Sequence, residues 1–198
     1  MRKRRRYLLV DSGLRMTFHP GYLVFNRPKS HFLSANTSMA LPDLSTYTIA
    51  ELLTEHSAVL DELRRRKVVR SNNNPTGDYT EWLVSTKLGL TLETNSAKGF
   101  DATDAKGLRY QIKGRRITPD NKSTQLGVIR NLDGNDFDFL IAVIFDEKWL
   151  VRHAAKIPQH AIAELATFRK HVNGHIMLLR PCVFNNPNVR DITQDLRS

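Results

Sequence analysis

Cysteine is nearly absent. Cys182 stands alone among 198 residues, which excludes an internal disulfide and any cysteine-built metal centre. Its neighbours Val183 and Phe184 are apolar, predicting a small buried thiol and a reducing, cytoplasmic setting. Long hydrophobic runs are missing too: the longest, Phe139 to Phe145, has seven residues, against the roughly 20 that a membrane-crossing helix needs. No membrane partner is predicted. The opening MRKRRR has the charge of a secretory leader, but the apolar run behind it is broken at Asp11, too soon for a leader's core. A Gly-rich phosphate loop, a serine-hydrolase elbow, a dinucleotide fingerprint, internal repeats and low-complexity tracts are all absent. What remains is an ordinary globular composition, 40% hydrophobic and 25% charged, at a length that suits one domain with an appendage.

Acidic side chains are the scarce sign, 20 against 30 Lys and Arg, for a net charge of +10. The excess is uneven: residues 1–45 hold 8 basic and 2 acidic side chains, leaving 22 against 18 for residues 46–198. Residues 1–45 also lack a sustained period and contain Pro20, Pro28 and Pro42, which predicts a basic, extended or poorly ordered arm ahead of a single domain at 46–198. A basic balance favours polyanionic partners, but solubility charge explains net charge equally well.

From Thr48 the pattern becomes helical. Ile49, Leu52, Leu53, Val59, Leu60 and Leu63 recur at helical spacing behind a Thr48/Glu51 capping box, predicting a helix over 49–67. Its end, Arg64-Arg65-Arg66-Lys67, sets cations at the negative pole of the helix dipole. Asn72 to Gly77 is a turn segment, after which Asp78 can cap a second helix that Gly89 closes. Strands are predicted near 91–93, 100–103 and 108–117, then a buried one at 137–145 with a partner across Asp146-Glu147. A helix from Ile157 to about Phe168, a strand over 175–183 and a short helix at 191–196 complete an α/β sandwich with a mixed sheet.

The chemistry concentrates in residues 99–116. Leu108, Tyr110 and Ile112 alternate with Arg109, Gln111, Lys113 and Arg115, so the second set shares one face of a strand. A loop Ala105-Lys106-Gly107, with Gly107 in the left-handed position, pairs Asp104 with Leu108 and hence Asp101 with Gln111. Opposed side chains stand roughly 4.5–5.5 Å apart at Cβ, which lets the Asp101 carboxylate and the Gln111 amide oxygen share a cation. Lys113 follows two residues on along the same face. An oxygen-lined site beside an ammonium suits Mg²⁺- or Mn²⁺-assisted attack of water on a phosphodiester. Lys98, Lys106, Arg109, Lys113, Arg115 and Arg116 crowd the hairpin, and no acid falls between residues 105 and 116. Such a field fits a phosphate backbone.

Asp101 followed by Gln111-Ile112-Lys113 resembles the PD-(D/E)xK nuclease superfamily. The resemblance spans roughly residues 70–146. It implies a restriction-endonuclease-like α/β/α sandwich around a central mixed sheet, a Mg²⁺ or Mn²⁺ cofactor, and hydrolysis of DNA, with RNA left open. The run NNPTGDYTEWLV, residues 73–84, resembles the family's upstream helix, with Glu81 in place of the helix carboxylate. By that likeness Glu81, Asp101 and Gln111 hold the metal, the Ile112 carbonyl is a further ligand, and Lys113 acts on the nucleophile. Arg109, Arg115, Arg116, Lys98, Arg70 and Asn73 are candidate nucleic-acid contacts. Two departures stand: Gln111 replaces the family's acidic residue, and Phe100 precedes Asp101 in place of proline. Many enzymes of this fold act as dimers, but no dimer face can be read here.

Plainer readings exist for each feature. Glu81 completes a capping box with Asp78; Asp101 and Lys113 form a cross-strand ion pair; Gln125 and Arg130 lie on an exposed helix after the hairpin. His171 and His175 have a zinc-like spacing that Asn173-Gly174 breaks. The leading expectation is a Mg²⁺-dependent deoxyribonuclease. The alternatives are a non-catalytic nucleic-acid-binding module on the same fold, with Gln111 marking a degraded metal site, and a structural or partner-binding protein.

Overall fold

A computed structural model describes residues 16–19, 22–25, 42–94 and 99–197. The chain divides into two compact units, Met1–Leu44 and Ser45–Ser198. In the first, β1 (Met16–His19) and β2 (Tyr22–Phe25) form an antiparallel pair running from Met16 opposite Phe25 to His19 opposite Tyr22. Charge and proline content predict only an arm over this stretch.

The second unit begins with α1 (Ile49–Arg65), whose Thr48/Glu51 capping box is present in both directions. Leu60 is its one buried residue, whereas Ile49, Leu53 and Val59 are exposed. Next comes α2 (Thr76–Leu88), ended by Gly89 at φ 65° in the left-handed region that glycine tolerates. Asp78 does not cap it. The helix opens two residues earlier, and the Asp78 carboxylate turns back to the preceding loop, accepting from the amides of Arg70 (2.8 Å) and Ser71 (3.2 Å).

Strands β3 (Thr91–Leu92), β4 (Ala102–Thr103), β5 (Arg109–Arg116), β6 (Phe139–Phe145), β7 (Val151–Pro158) and β10 (Arg190–Asp191) build a six-stranded mixed sheet of order β10-β7-β6-β5-β4-β3. Only β5 and β6 run parallel; the other neighbours are antiparallel. β6 is apolar throughout because it is central and covered on both faces. On one face α2 and α4 (Thr193–Arg197) pack Leu83, Val84 and Leu196 against Tyr110, Ile112, Ile141, Val143 and Phe145. The opposite face carries Leu140, Ala142, Ile144, Ala155 and Ile157 beneath Leu126, Ile129, Phe137, Ile162, Met177 and Leu179.

That second cover departs from the predicted helices. Residues 157–168 are the end of β7, a 3-10 turn at 159–161, the four-residue α3 (Ile162–Leu165) and then β8 (Ala166–Arg169), which pairs with β9 (Gly174–Met177). Ala161 and Ile162 are buried as the helical spacing requires, but one turn is enough to bury them, and Asn173 at φ 47° closes a hairpin that claims Ala166–Arg169. Phe168 is therefore exposed. Gln125 and Arg130 lie on no helix either: Gln125 bridges Leu178 and Ile129 bridges His175, so extended backbone buries Leu126 and Ile129. The 175–183 strand stops at Met177, a 3-10 segment follows from Pro181, and Cys182 is exposed there rather than buried. Among the described residues no helix is long and apolar enough to cross a membrane.

Candidate active site

Two elements converge on the hairpin β4–β5. Gly114 of β5 lies under Thr80 of α2, where an added Cβ would stand 2.8 Å from Thr80 Cβ and closer still to its hydroxyl. This approach brings α2 down on the strand and sets Glu81, the next residue, beside the hairpin. Thr80 is itself fully buried, its hydroxyl donating to the Thr76 carbonyl.

The hairpin register agrees with the turn chemistry: Ala102 faces Tyr110, Thr103 faces Arg109, and Gly107 has φ 80°. Its outer end differs from the predicted pairing of Asp101 with Gln111. The Asp101 amide donates to the Tyr110 carbonyl at 2.8 Å, one residue short of Gln111, so the strand splays there as in a bulge. The freed carboxylate takes the place of ladder backbone and accepts the Ile112 amide at 2.6 Å. Alternate residues of a strand aim their backbone groups at the same neighbour, so the Ile112 carbonyl also faces the edge that β4 has left. Lys113 Nζ stands 4.0 Å from Asp101 Oδ2.

Gln111 points its amide nitrogen at the Gly99 carbonyl, 3.4 Å away. Its Oε1 is buried with no hydrogen-bond partner, an acceptor whose desolvation is uncompensated. Glu81, whose side chain is 15% exposed, accepts from the Arg70 guanidinium. Burial pushes its pKa up to about 7, the Asp101 charge adds to the rise, and Arg70 and Lys113 oppose it. Two carboxylates, Glu81 and Asp101, thus sit close enough to act on one another, with an arginine and a lysine as their cations. Among the described residues no three His, Cys, Asp or Glu side chains gather to hold a metal, so a cation here would rely on the Gln111 oxygen or on backbone.

Comparison of the chain with protein-family models and with curated proteins finds no match.

The structure brings together Glu81, Asp101, Gln111, Ile112, Lys113 and Arg70. It turns other candidates elsewhere. Arg109 lies along Asp138, its Nε and a terminal nitrogen each 3.2 Å from a carboxylate oxygen, and Asp138 also takes the Arg109 amide at 2.8 Å. Arg116 donates to the Glu147 carbonyl and lies 4.7 Å from the Trp149 ring centre. Arg115 has a buried Nε with no partner, and Asn73 is exposed on the loop before α2. Lys98 falls outside the described residues. His171 is exposed and His175 packs edge-on to Phe168. Sequence reasoning missed Asp78 as the anchor of the Arg70 loop and Asp138 as the partner of Arg109. Both pairings span turns or strands with no spacing signal; the Arg109–Asp138 pair follows only from the parallel docking of β5 on β6.

Proposed function

We propose that the protein is a metal-dependent nuclease that hydrolyses phosphodiester bonds in DNA, on a variant of the restriction-endonuclease-like fold. The observation that carries the reading is the Asp101 carboxylate held on the Ile112 amide, with Lys113 4.0 Å away and the Asp101 charge acting on Glu81, on the hairpin where Gln111 Oε1 is buried without a partner. Two interacting carboxylates and an orphaned amide acceptor on the same hairpin region are groups that a hard cation stabilises, and the donor set is all oxygen, as Mg²⁺ and Mn²⁺ prefer. Glu81, Asp101 and Gln111 would hold that ion, with the Ile112 carbonyl facing the same edge. Bound there, it would supply a water of lowered pKa and positive charge for the phosphoryl oxygens.

The chain's own groups do the rest. Asp101 is held by the Ile112 amide, so its carboxylate is fixed before any ligand arrives. Lys113, about a quarter exposed, orients the attacking water or neutralises charge developing on the phosphate. The chain's net charge of +10 favours a polyanionic partner. A second reading, a non-catalytic nucleic-acid-binding module, is favoured by one feature: Gln111 gives the site one negative charge fewer than a Glu would.

Plasmid and single-stranded DNA incubated with the purified protein and Mg²⁺, Mn²⁺ or EDTA separate the readings. Metal-dependent cleavage that falls by about 10² or more in Asp101→Ala and in Lys113→Ala is the expected outcome. Salt-sensitive binding without cleavage under all conditions would replace the nuclease by the binding module. Absence of binding would remove both.

A further inference from the structure

Arg70 is joined to the candidate site in a way that a simple phosphate contact does not require. Its guanidinium reaches both Asp78, at 3.3 Å, and Glu81, while its side chain is half exposed. The backbone beneath it is fixed, because the amides of Arg70 and Ser71 both donate to Asp78 Oδ2. The pivot is anchored through the backbone, and the half-exposed head is held through its ion pairs to Asp78 and Glu81. The head lies on Asp78 and Glu81, and Lys113 lies near Asp101, whose charge also acts on Glu81.

A guanidinium on Glu81 does electrostatically what a divalent cation would do, and the two repel at one carboxylate in a partly buried place. A phosphate group has the opposite preference, since its oxygens match the guanidinium fork. We propose that Arg70 is the exchangeable counter-cation of this site. It holds Glu81 in the free protein, yields it to a divalent cation, and turns about its Asp78-anchored backbone to grip a phosphate of the nucleic-acid strand. The inference rests on the metal-site reading above. It makes the two binding events cooperative, because a phosphate that draws Arg70 away leaves Glu81 open to the metal, and the coupling acts equally in both directions.

The test is calorimetric titration of Mn²⁺ into the full chain and its Arg70→Gln, Arg70→Lys and Arg70→Met variants, alone and with a short phosphorothioate DNA that resists cleavage. Arg70→Gln and Arg70→Met bind Mn²⁺ about fivefold or more tighter than the parent, and Arg70→Lys, which keeps the charge, stays near it. DNA tightens Mn²⁺ binding in the parent and has a smaller effect in the two neutral variants. The Met variant keeps the apolar stem and serves if the Gln variant is misfolded by circular dichroism. Unchanged or weaker Mn²⁺ binding in the neutral variants, with the parent binding metal, overturns the counter-cation role and leaves the metal site standing. Lack of Mn²⁺ uptake by the parent and the neutral variants alike removes the metal-site reading, and this inference falls with it.

Discussion

Gln111 is the residue on which the proposed chemistry turns. Its Oε1 is buried without a partner while its nitrogen is spent on the Gly99 carbonyl, so the amide contributes acceptor capacity and no charge. Gln111→Glu adds an anion to the hairpin that carries Asp101. The expected outcome is tighter Mn²⁺ binding by calorimetry, with a melting temperature that falls in EDTA and recovers with metal. A melting temperature indifferent to metal would count against a cation at this position. Asp138 is a second residue whose role can be measured. Hydrogen bonds from the Arg109 side chain and amide hold its carboxyl below the ordinary range. A depressed folded-state pKa contributes stability that is present above the unfolded value, about 3.9, and is lost as pH falls through the folded one. Asp138→Asn therefore costs about 1 kcal/mol at neutral pH, a modest figure because the pair is about a third exposed. In urea titrations the difference from the parent narrows below about pH 4.

At the scale of elements, the contact between α2 and β5 positions the site, and Gly114 makes it possible. Gly114→Ala drives a methyl into Thr80, whose Cβ it would meet at 2.8 Å. The cost is about 1–3 kcal/mol for an overpacked contact, read as a lower urea midpoint. Because the displaced helix carries Glu81, the proposed cleavage is expected to fall further than the lost stability accounts for. Equal losses would show that the contact is structural alone. α1 offers a contrast. Thr48→Ala removes the side-chain half of its capping box, worth about 1 kcal/mol of local helix stability. The helix buries only Leu60, so the effect is faster amide exchange along α1 with little change in the global midpoint.

At the scale of the whole molecule, charge and domain division belong together. Eight of the basic residues lie in 1–45, and the chain divides after Leu44. Removing residues 1–44 is expected to leave the urea midpoint of Ser45–Ser198 nearly unchanged and to weaken DNA binding mainly at low salt. The check is the slope of log affinity against log salt, which becomes shallower in proportion to the number of phosphates that the arm neutralises. An unaltered slope would assign the arm no part in binding.

Much of this was legible from residue order. Local patterns determined the α1 capping box, the Gly89 helix stop, the buried β6 and the β4–β5 turn around Gly107, because each depends on a few neighbouring residues and on backbone geometry. The same patterns placed Asp101, Gln111 and Lys113 on one hairpin. What they misjudged was decided by pairing between distant segments: Ala166–Phe168 reads as helix until Gly174–Met177 offers it a ladder, and the stretch holding Gln125 and Arg130 reads as helix until Leu178 bridges Gln125 and His175 bridges Ile129. Asp78 reads as a cap until the Arg70 loop folds over it. Tertiary structure alone aimed the side chains, freeing Asp101 at the splayed edge, committing Arg109 to Asp138 and Arg116 to the Glu147 carbonyl, and drawing Arg70 onto Glu81. The physical reason is range. Capping, turns and periodicity act over a few residues, whereas a charge or an orphaned acceptor is satisfied by whatever the packed chain brings within hydrogen-bonding distance.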